Sequence, residues 1–126
     1  MSNRALDGMV CGFPCFGTMS LGVANAITRH GGRAVTPVQG RSSTTRKRAE
    51  TSGIAIVDSL EDVFAESDMV LSICPPDVAR EILDRFEAWG RATTNRPTFV
   101  EANGMHPDPL VKHLDSLTAL GFRVVD

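Results

Sequence analysis

Residues 9–32 read MVCGFPCFGTMSLGVANAITRHGG, and they contain the clearest signal of the fold. Met9–Phe13 is a short apolar run that predicts a strand, and Pro14–Ser20 is a turn rich in small residues. Leu21–His30 carries apolar residues at helical spacing, and Gly31-Gly32 closes the segment where a left-handed residue is wanted. A strand, a tight turn and a helix in this order predict the start of a βαβ unit.

The same alternation continues along the chain. Short apolar runs predict five further strands, at Ala34–Val38, Ile54–Val57, Met69–Ile73 (within Asp68–Cys74), Thr98–Ala102 and Phe122–Val125. The predicted intervening helices are a basic helix over Thr45–Thr51, a short helix capped by Ser59, a helix capped by Asp77 and followed by a connector at Gly90–Pro97, and a helix over Leu110–Leu120. This pattern predicts a doubly wound α/β domain of the Rossmann type, with a mainly parallel sheet of about six strands.

The chain length and the apolar helix faces predict a single domain with one hydrophobic core. With 126 residues the chain fits a single domain, which we place at residues 9–126 behind a flexible polar tail at residues 1–8. The apolar helix faces predict the core side chains Phe64, Leu83, Phe86, Trp89, Leu114 and Leu117.

Composition excludes several classes of partner. The formal net charge of −2 gives no general attraction for nucleic acid or an anionic membrane surface. No apolar run approaches the roughly 18 residues that a membrane helix requires. Cys11, Cys15 and Cys74 are an odd number of cysteines in a chain without a secretory leader. We therefore expect reduced thiols in a cytoplasmic protein, and no metal site.

The turn after the first strand is the candidate phosphate site. The fingerprint GxGxxG falls on Cys15, Gly17 and Ser20, so only its middle glycine is kept. A purely structural turn is the alternative, but amides at a helix N-terminus attract phosphate whatever the side chains. The predicted cofactor contacts in this turn are Phe16, Gly17, Thr18 and Met19.

The end of the second strand predicts which dinucleotide is bound. An NAD site offers an acidic residue there, whereas an arginine accommodates the 2′-phosphate of NADP. No carboxylate follows this strand; Arg41, Ser42 and Thr44 do, and they could hold a phosphate together. We therefore predict NADP, with NAD less favoured. The alternative is a solvated basic helix face.

Two further strand ends supply candidate residues. Cys74 and Pro75 follow the fourth strand, where the backbone passes the cofactor in doubly wound dehydrogenases; a rigid proline stop is the alternative. Asn103 and His106 follow the fifth strand, where they could reach the nicotinamide or a substrate hydroxyl. His106 is a candidate proton carrier near neutral pH, and a surface turn residue is the alternative.

Several segments together resemble a known family. They are Phe16-Gly17-Thr18-Met19-Ser20, Gly40-Arg41-Ser42, Thr45-Arg46-Lys47-Arg48-Ala49, Asp58-Ser59-Leu60, Asp68-Met69-Val70-Leu71-Ser72, Pro75-Pro76 and Glu101-Ala102-Asn103. Over residues 9–126 the chain resembles the N-terminal domain of the β-hydroxyacid dehydrogenases, which include 6-phosphogluconate and 3-hydroxyisobutyrate dehydrogenases. Cys15, Ser20 and His106 depart from the family pattern.

The resemblance implies an oxidoreductase that transfers a hydride between NADP and a small hydroxy acid. In the family a second, all-helical domain carries the catalytic lysine and forms the dimer, so this chain alone is expected to be inactive. Without that domain, apolar surface near the sixth strand would be exposed and could drive homo-oligomer formation. Two alternatives stay open: a non-catalytic NADPH-binding or regulatory module, and an S-adenosylmethionine-binding fold.

Overall fold

The protein is described by a computed structural model that covers residues 6–37, 47, 53–102 and 107–125. Within them the strands are β1 (Val10–Gly12), β2 (Arg33–Pro37), β3 (Ala55–Val57), β4 (Met69–Ser72), β5 (Thr98–Glu101) and β6 (Val124–Val125). The helices are α1 (Thr18–Arg29), α2 (Leu60–Glu66), α3 (Pro76–Ala92) and α4 (Pro107–Ala119).

The strands form one sheet in the order β3-β2-β1-β4-β5-β6. Every neighbouring pair is parallel. The chain moves outward from β1 through β2 to β3, and then returns to the other side of β1 with β4, so the strand order reverses between β1 and β4. This is the doubly wound topology that the sequence predicts, and the predicted fold is confirmed.

Two apolar clusters cover the sheet. Neighbouring residues of β4 show the division: Val70 belongs to one cluster, while Met69 and Leu71 pack against the other, because successive side chains of a strand point to opposite faces. The larger cluster includes the buried predicted core residues Phe64, Leu83, Phe86, Trp89 and Leu117, with Leu114 half-buried against it. The smaller cluster joins α1 to β1 and β2.

Local signals account for most element ends. Gly31 and Gly121 have φ of +92° and +96° and follow α1 and α4, and the role predicted for Gly31 is confirmed. Pro37 is the last residue of β2, where its missing N–H is tolerated. Ser59 caps α2, with its hydroxyl oxygen accepting from the Asp62 amide at 3.1 Å.

Two predictions about α3 are wrong. Asp77 does not cap the helix; the N-cap is Pro75, with Pro76 at the first helical position and Asp77 inside the first turn. Proline suits that position because the N–H it lacks would have no helical partner. The predicted connector at Gly90–Pro97 begins too early, since α3 continues to Ala92. Gly90 stays helical because Phe122 packs against it: a Cβ there would lie 2.5 Å from the ring.

The predicted tail contacts the domain near its end. The Leu6 amide donates to the His30 carbonyl at 3.0 Å, and the Met9 amide donates to the Leu6 carbonyl at 2.9 Å. The Leu6 side chain packs against the smaller apolar cluster, which includes residues of α1. Of the basic helix predicted over Thr45–Thr51, only Lys47 is among the described residues, and it is helical and exposed.

Candidate functional site

The carboxyl ends of β1, β2, β4 and β5 meet at one edge of the sheet. Gly12, the last residue of β1, is aligned with Val35 of β2 and Val70 of β4. The Ala102 amide, which follows β5, donates to the Ser72 carbonyl of β4 at 3.1 Å. The turn after β1 therefore lies beside the end of β4, at the point where ligands bind in doubly wound sheets.

Hydrogen bonds turn the carbonyl groups of this turn inward. The Thr36 hydroxyl of β2 donates to the Phe13 carbonyl at 2.8 Å. The Ser20 hydroxyl donates to the Cys15 carbonyl at 3.0 Å. Both hydroxyls belong to buried residues. These two carbonyls are therefore satisfied inside the protein, whereas Gly17 is partly exposed and Thr18 and Met19 are exposed at the start of α1.

The N-terminus of α1 is uncapped. Gly17 is its N-cap residue, and no side chain accepts a hydrogen bond from the first turn. The first helical bond runs from the Leu21 amide to the Gly17 carbonyl at 3.0 Å. The amides of Thr18, Met19 and Ser20 therefore have no acceptor within the helix, and no acidic residue stands in the first turn. Unpaired amides and the positive end of the helix dipole favour an anion here.

Gly17 leaves the space in front of these amides open. Its φ is −104°, which any residue can adopt, and a Cβ at this position would meet no atom within 4 Å. Neither the backbone nor the packing of the described residues thus requires a glycine. Close approach of a phosphate does require one at the middle position of the fingerprint, so the residues present fit a dinucleotide.

The turn holds a covalent link that the sequence analysis did not predict. Cys15 and Cys74 form a disulfide, with their Cα atoms 5.6 Å apart. The expectation of three reduced thiols is therefore wrong for this pair, because the turn after β1 and the end of β4 bring the two side chains together. Cys15 keeps a negative φ, so the first fingerprint position accommodates a residue other than glycine.

Cys11 is the free cysteine of the described residues. It lies in β1 and is 1% exposed. Burial raises the pKa of its thiol, and the nearby carboxylate of Asp68 raises that pKa further. A thiol held in its protonated form is a poor nucleophile.

The other predicted site residues divide into those described and those not. Thr18 and Met19 are exposed at the start of α1, with Met19 69% exposed. The Phe16 ring is buried and contacts Phe13 edge to face at 6.0 Å, so only its backbone is available to a cofactor. Pro75 is exposed as the N-cap of α3. The predicted residues Arg41, Ser42, Thr44, Asn103 and His106 lie outside the described residues.

The strand order of a doubly wound sheet would have allowed the disulfide to be predicted. Cys15 follows the first predicted strand and Cys74 ends the fourth, and in a doubly wound sheet these two strands are neighbours. The buried hydroxyls of Thr36 and Ser20 were also not predicted as parts of the turn. Their roles depend on which backbone groups the folded turn directs inward.

Comparisons with known proteins rest on solved structures. No family model matches the chain, and no curated protein sequence matches it. The conserved protein MTH1747 of unknown function, described as structurally similar to 3-hydroxyacid dehydrogenases, is 28% identical and superposes with a TM-score of 0.69 over 92% of this chain and 41% of its own. For 3-hydroxyisobutyrate dehydrogenase from Mycobacterium tuberculosis, identity is 18% and the TM-score 0.74, over 92% of this chain and 38% of that one.

A third structure, GenD2 from gentamicin A biosynthesis, was solved in complex with NAD. It is 12% identical, with a TM-score of 0.70 over 99% of this chain and 36% of its own. The chain has the fold of one part of the hydroxyacid dehydrogenase-like structures. The resemblance predicted from its motifs is thereby confirmed, and its fold is that of the dinucleotide-binding domain of an oxidoreductase.

The chain spans about two fifths of the length of the hydroxyacid dehydrogenase-like structures that it matches. Among the described residues, no helix is long and apolar enough to cross a bilayer.

Proposed function

We propose that this chain binds NADP in preference to NAD and is the cofactor domain of a hydroxyacid dehydrogenase-like oxidoreductase. The observation that carries the proposal is the uncapped N-terminus of α1 beneath Gly17, at the sheet edge where the strand order reverses. Three amides without a helical acceptor point to an anion, and the open space at Gly17 admits it to the backbone. A pyrophosphate fits both features.

Each predicted residue has a role in this proposal. The amides of the first turn of α1 hold the pyrophosphate, and Arg41, Ser42 and Thr44 hold the 2′-phosphate. The nicotinamide supplies the hydride chemistry when it is bound, while the backbone at Cys74 and Pro75 passes beside the adenosine ribose and the nicotinamide. Asn103 and His106 lie on the substrate side, and His106 acts as a proton carrier.

The complete enzyme would transfer a hydride between NADP and a small hydroxy acid. We propose that this requires a second, all-helical domain, which carries the catalytic lysine in the family, and that residues 1–126 alone are inactive. The resemblance also supports a cytoplasmic setting and a homo-oligomer formed through the helical domain.

The first experiment is a calorimetric titration of the chain with NADPH and with NADH. We expect NADPH to bind at least tenfold more tightly, which is about 1.4 kcal/mol. Arg41→Glu should remove that preference, because its carboxylate repels the 2′-phosphate. An unchanged ratio of the two affinities in this variant would show that Arg41 does not select the cofactor.

Gly17→Asp tests the pyrophosphate site separately from folding. The position is extended and has room for a side chain, so an aspartate would act as a favourable N-cap and leave the chain folded. Its charge would occupy the anion site, and we expect binding of both dinucleotides to weaken more than tenfold. Gly22→Asp is the matched control: it adds the same charge further along α1, at an exposed position with equal space.

Two results would contradict the proposal. One is unchanged dinucleotide affinity in Gly17→Asp. The other is failure of the unaltered chain to bind either dinucleotide, which would favour the alternative of a non-catalytic module that has lost this ligand.

A further inference from the structure

The Cys15–Cys74 disulfide spans the point where the strand order reverses. Cys15 lies in the turn that leads from β1 to α1, and Cys74 lies between β4 and the N-cap of α3. Their Cα atoms are 5.6 Å apart, while 59 positions separate them in the sequence. The bond therefore ties together the two strand ends that border the proposed cofactor site.

Each cysteine is hydrogen-bonded to a different element. The Cys15 carbonyl accepts from Ser20 in the first turn of α1 at 3.0 Å, so Cys15 is coupled to the helix end that presents the amides. The Ser72 hydroxyl, in the last residue of β4, donates to the Cys74 sulfur at 3.9 Å. Opening the bond would release the middle of the turn, while Thr36 would still hold its beginning at Phe13.

Exchange with an external thiol requires the turn around the pair to open. Both cysteines are buried, each 9% exposed, but the next two residues along the chain, Pro75 and Pro76, are exposed. Cys11 does not compete for the bond, because it is fully buried in β1 and its pKa is raised. The redox chemistry thus involves two of the three cysteines.

We propose that Cys15 and Cys74 form a redox-modification site that controls the order of the turn before α1, and through it the affinity for the dinucleotide. A dithiol reductant attacks one sulfur, breaks the S–S bond and leaves through a mixed disulfide. The products are two protein thiols and one oxidised reductant. Hydrogen peroxide restores the bond by taking two electrons and two protons from the thiols and forming two water molecules.

The oxidised form is the binding form. A bond between the turn and β4 holds the α1 amides in place before the ligand arrives, which lowers the cost of ordering them on binding. After reduction the unbonded sulfur atoms need a larger separation, and the turn moves away from β4. The effect on affinity rests on the proposed function, whereas the effect on the turn does not.

The experiment compares oxidised and dithiothreitol-reduced chain by three measurements. Intact mass counts the thiols, hydrogen exchange reports on the amides of residues 17–20, and calorimetry with NADPH reports affinity. We expect a gain of two hydrogens on reduction, faster exchange at these amides and about tenfold weaker binding. The double variant Cys15→Ser with Cys74→Ser should behave as the reduced chain under both conditions, and Cys11→Ala should keep the full response.

The outcomes separate the two proposals. Equal exchange and equal affinity in both redox states, with the change in mass confirmed, would overturn the redox site and leave the cofactor domain standing. So would a mass that does not change under oxidation. Faster exchange on reduction with no dinucleotide bound in either state would support the redox site and overturn the proposed function.

Discussion

Ser20 shows how a residue other than glycine fits a position that usually holds one. Its side chain is 1% exposed and donates to the Cys15 carbonyl at 3.0 Å. The hydroxyl therefore satisfies a turn carbonyl that would otherwise be buried without a partner, an omission that costs about 1–3 kcal/mol. A serine at the third fingerprint position thus stabilises the turn from inside.

The Cys11 thiol is expected to make the free energy of unfolding depend on pH. Its pKa in the folded protein is raised by burial and by Asp68, so its contribution to stability is full below about pH 9, the usual pKa, and is lost as the pH rises through the folded value. We expect the free energy of unfolding in urea to fall as the pH rises above about 9, by at most about 1.4 kcal/mol per pH unit from this group.

Cys11→Ala is the comparison for this prediction. The variant should be less stable at pH 7, because a buried side chain becomes smaller, but it should lose less stability as the pH rises. Parallel pH profiles for the two proteins would show that Cys11 does not titrate differently on folding.

At the scale of elements, the short helix α2 depends on its cap. It has seven residues, too few to be stable alone, and it buries Leu60, Val63 and Phe64 against the sheet. The Ser59 hydroxyl satisfies the Asp62 amide at 3.1 Å. Ser59→Ala should therefore lower the free energy of unfolding by about 1 kcal/mol, measured by urea denaturation.

Thr118→Ala is the matched control for the cap. Thr118 is exposed near the end of α4, so its loss should change stability by less than about 0.5 kcal/mol. An equal effect of the two substitutions would mean that the Ser59 hydroxyl is not acting as a cap.

At the scale of the whole molecule, one aromatic cluster joins α2, α3, β5 and the approach to β6. The Phe86 ring lies 4.7 Å from the rings of Phe99 and Phe122 and 4.9 Å from that of Phe64, measured between centroids. Phe86 is fully buried. Because it contacts residues from distant parts of the chain, its packing bears on the stability of the domain as a unit.

Phe86→Ala should destabilise the domain by about 3–5 kcal/mol. Trp89 is the sole tryptophan and lies 5.6 Å from the Phe86 ring, so its fluorescence reports unfolding directly. Val111→Ala, at a position 53% exposed on α4, should change stability by less than about 0.5 kcal/mol. A loss near 1 kcal/mol for Phe86→Ala would show that the cluster can close around the cavity.

Exposed apolar side chains near the C-terminal end bear on assembly. Val111 on α4 and Val125 on β6 are 53% and 46% exposed. Such exposed surface is expected near the sixth strand if a helical domain covers it in a longer protein. These two residues are compatible with a covered surface in a longer protein, which is part of the proposal and not a property of this chain alone.

Local sequence patterns are enough to predict the fold class, the six strands, most helices and the position of the turn before α1. These features depend on local physics: apolar periodicity, glycine after helices, proline at strand and helix ends, and a serine cap. The prediction of NADP also depends on local residues. Arg41, Ser42 and Thr44 lie outside the described residues, so their roles stay predictions.

The contacts between residues that are distant in the sequence are seen only in the tertiary structure. It joined Cys15 to Cys74 across 59 positions, kept Gly90 helical against Phe122, and directed the hydroxyls of Thr36 and Ser20 to turn carbonyls. Sequence patterns record which face of an element is apolar, but not which side chain it meets. Those contacts exist only after β1 and β4 become neighbours, because pairing between strands far apart in the chain is set by the packing of the whole sheet.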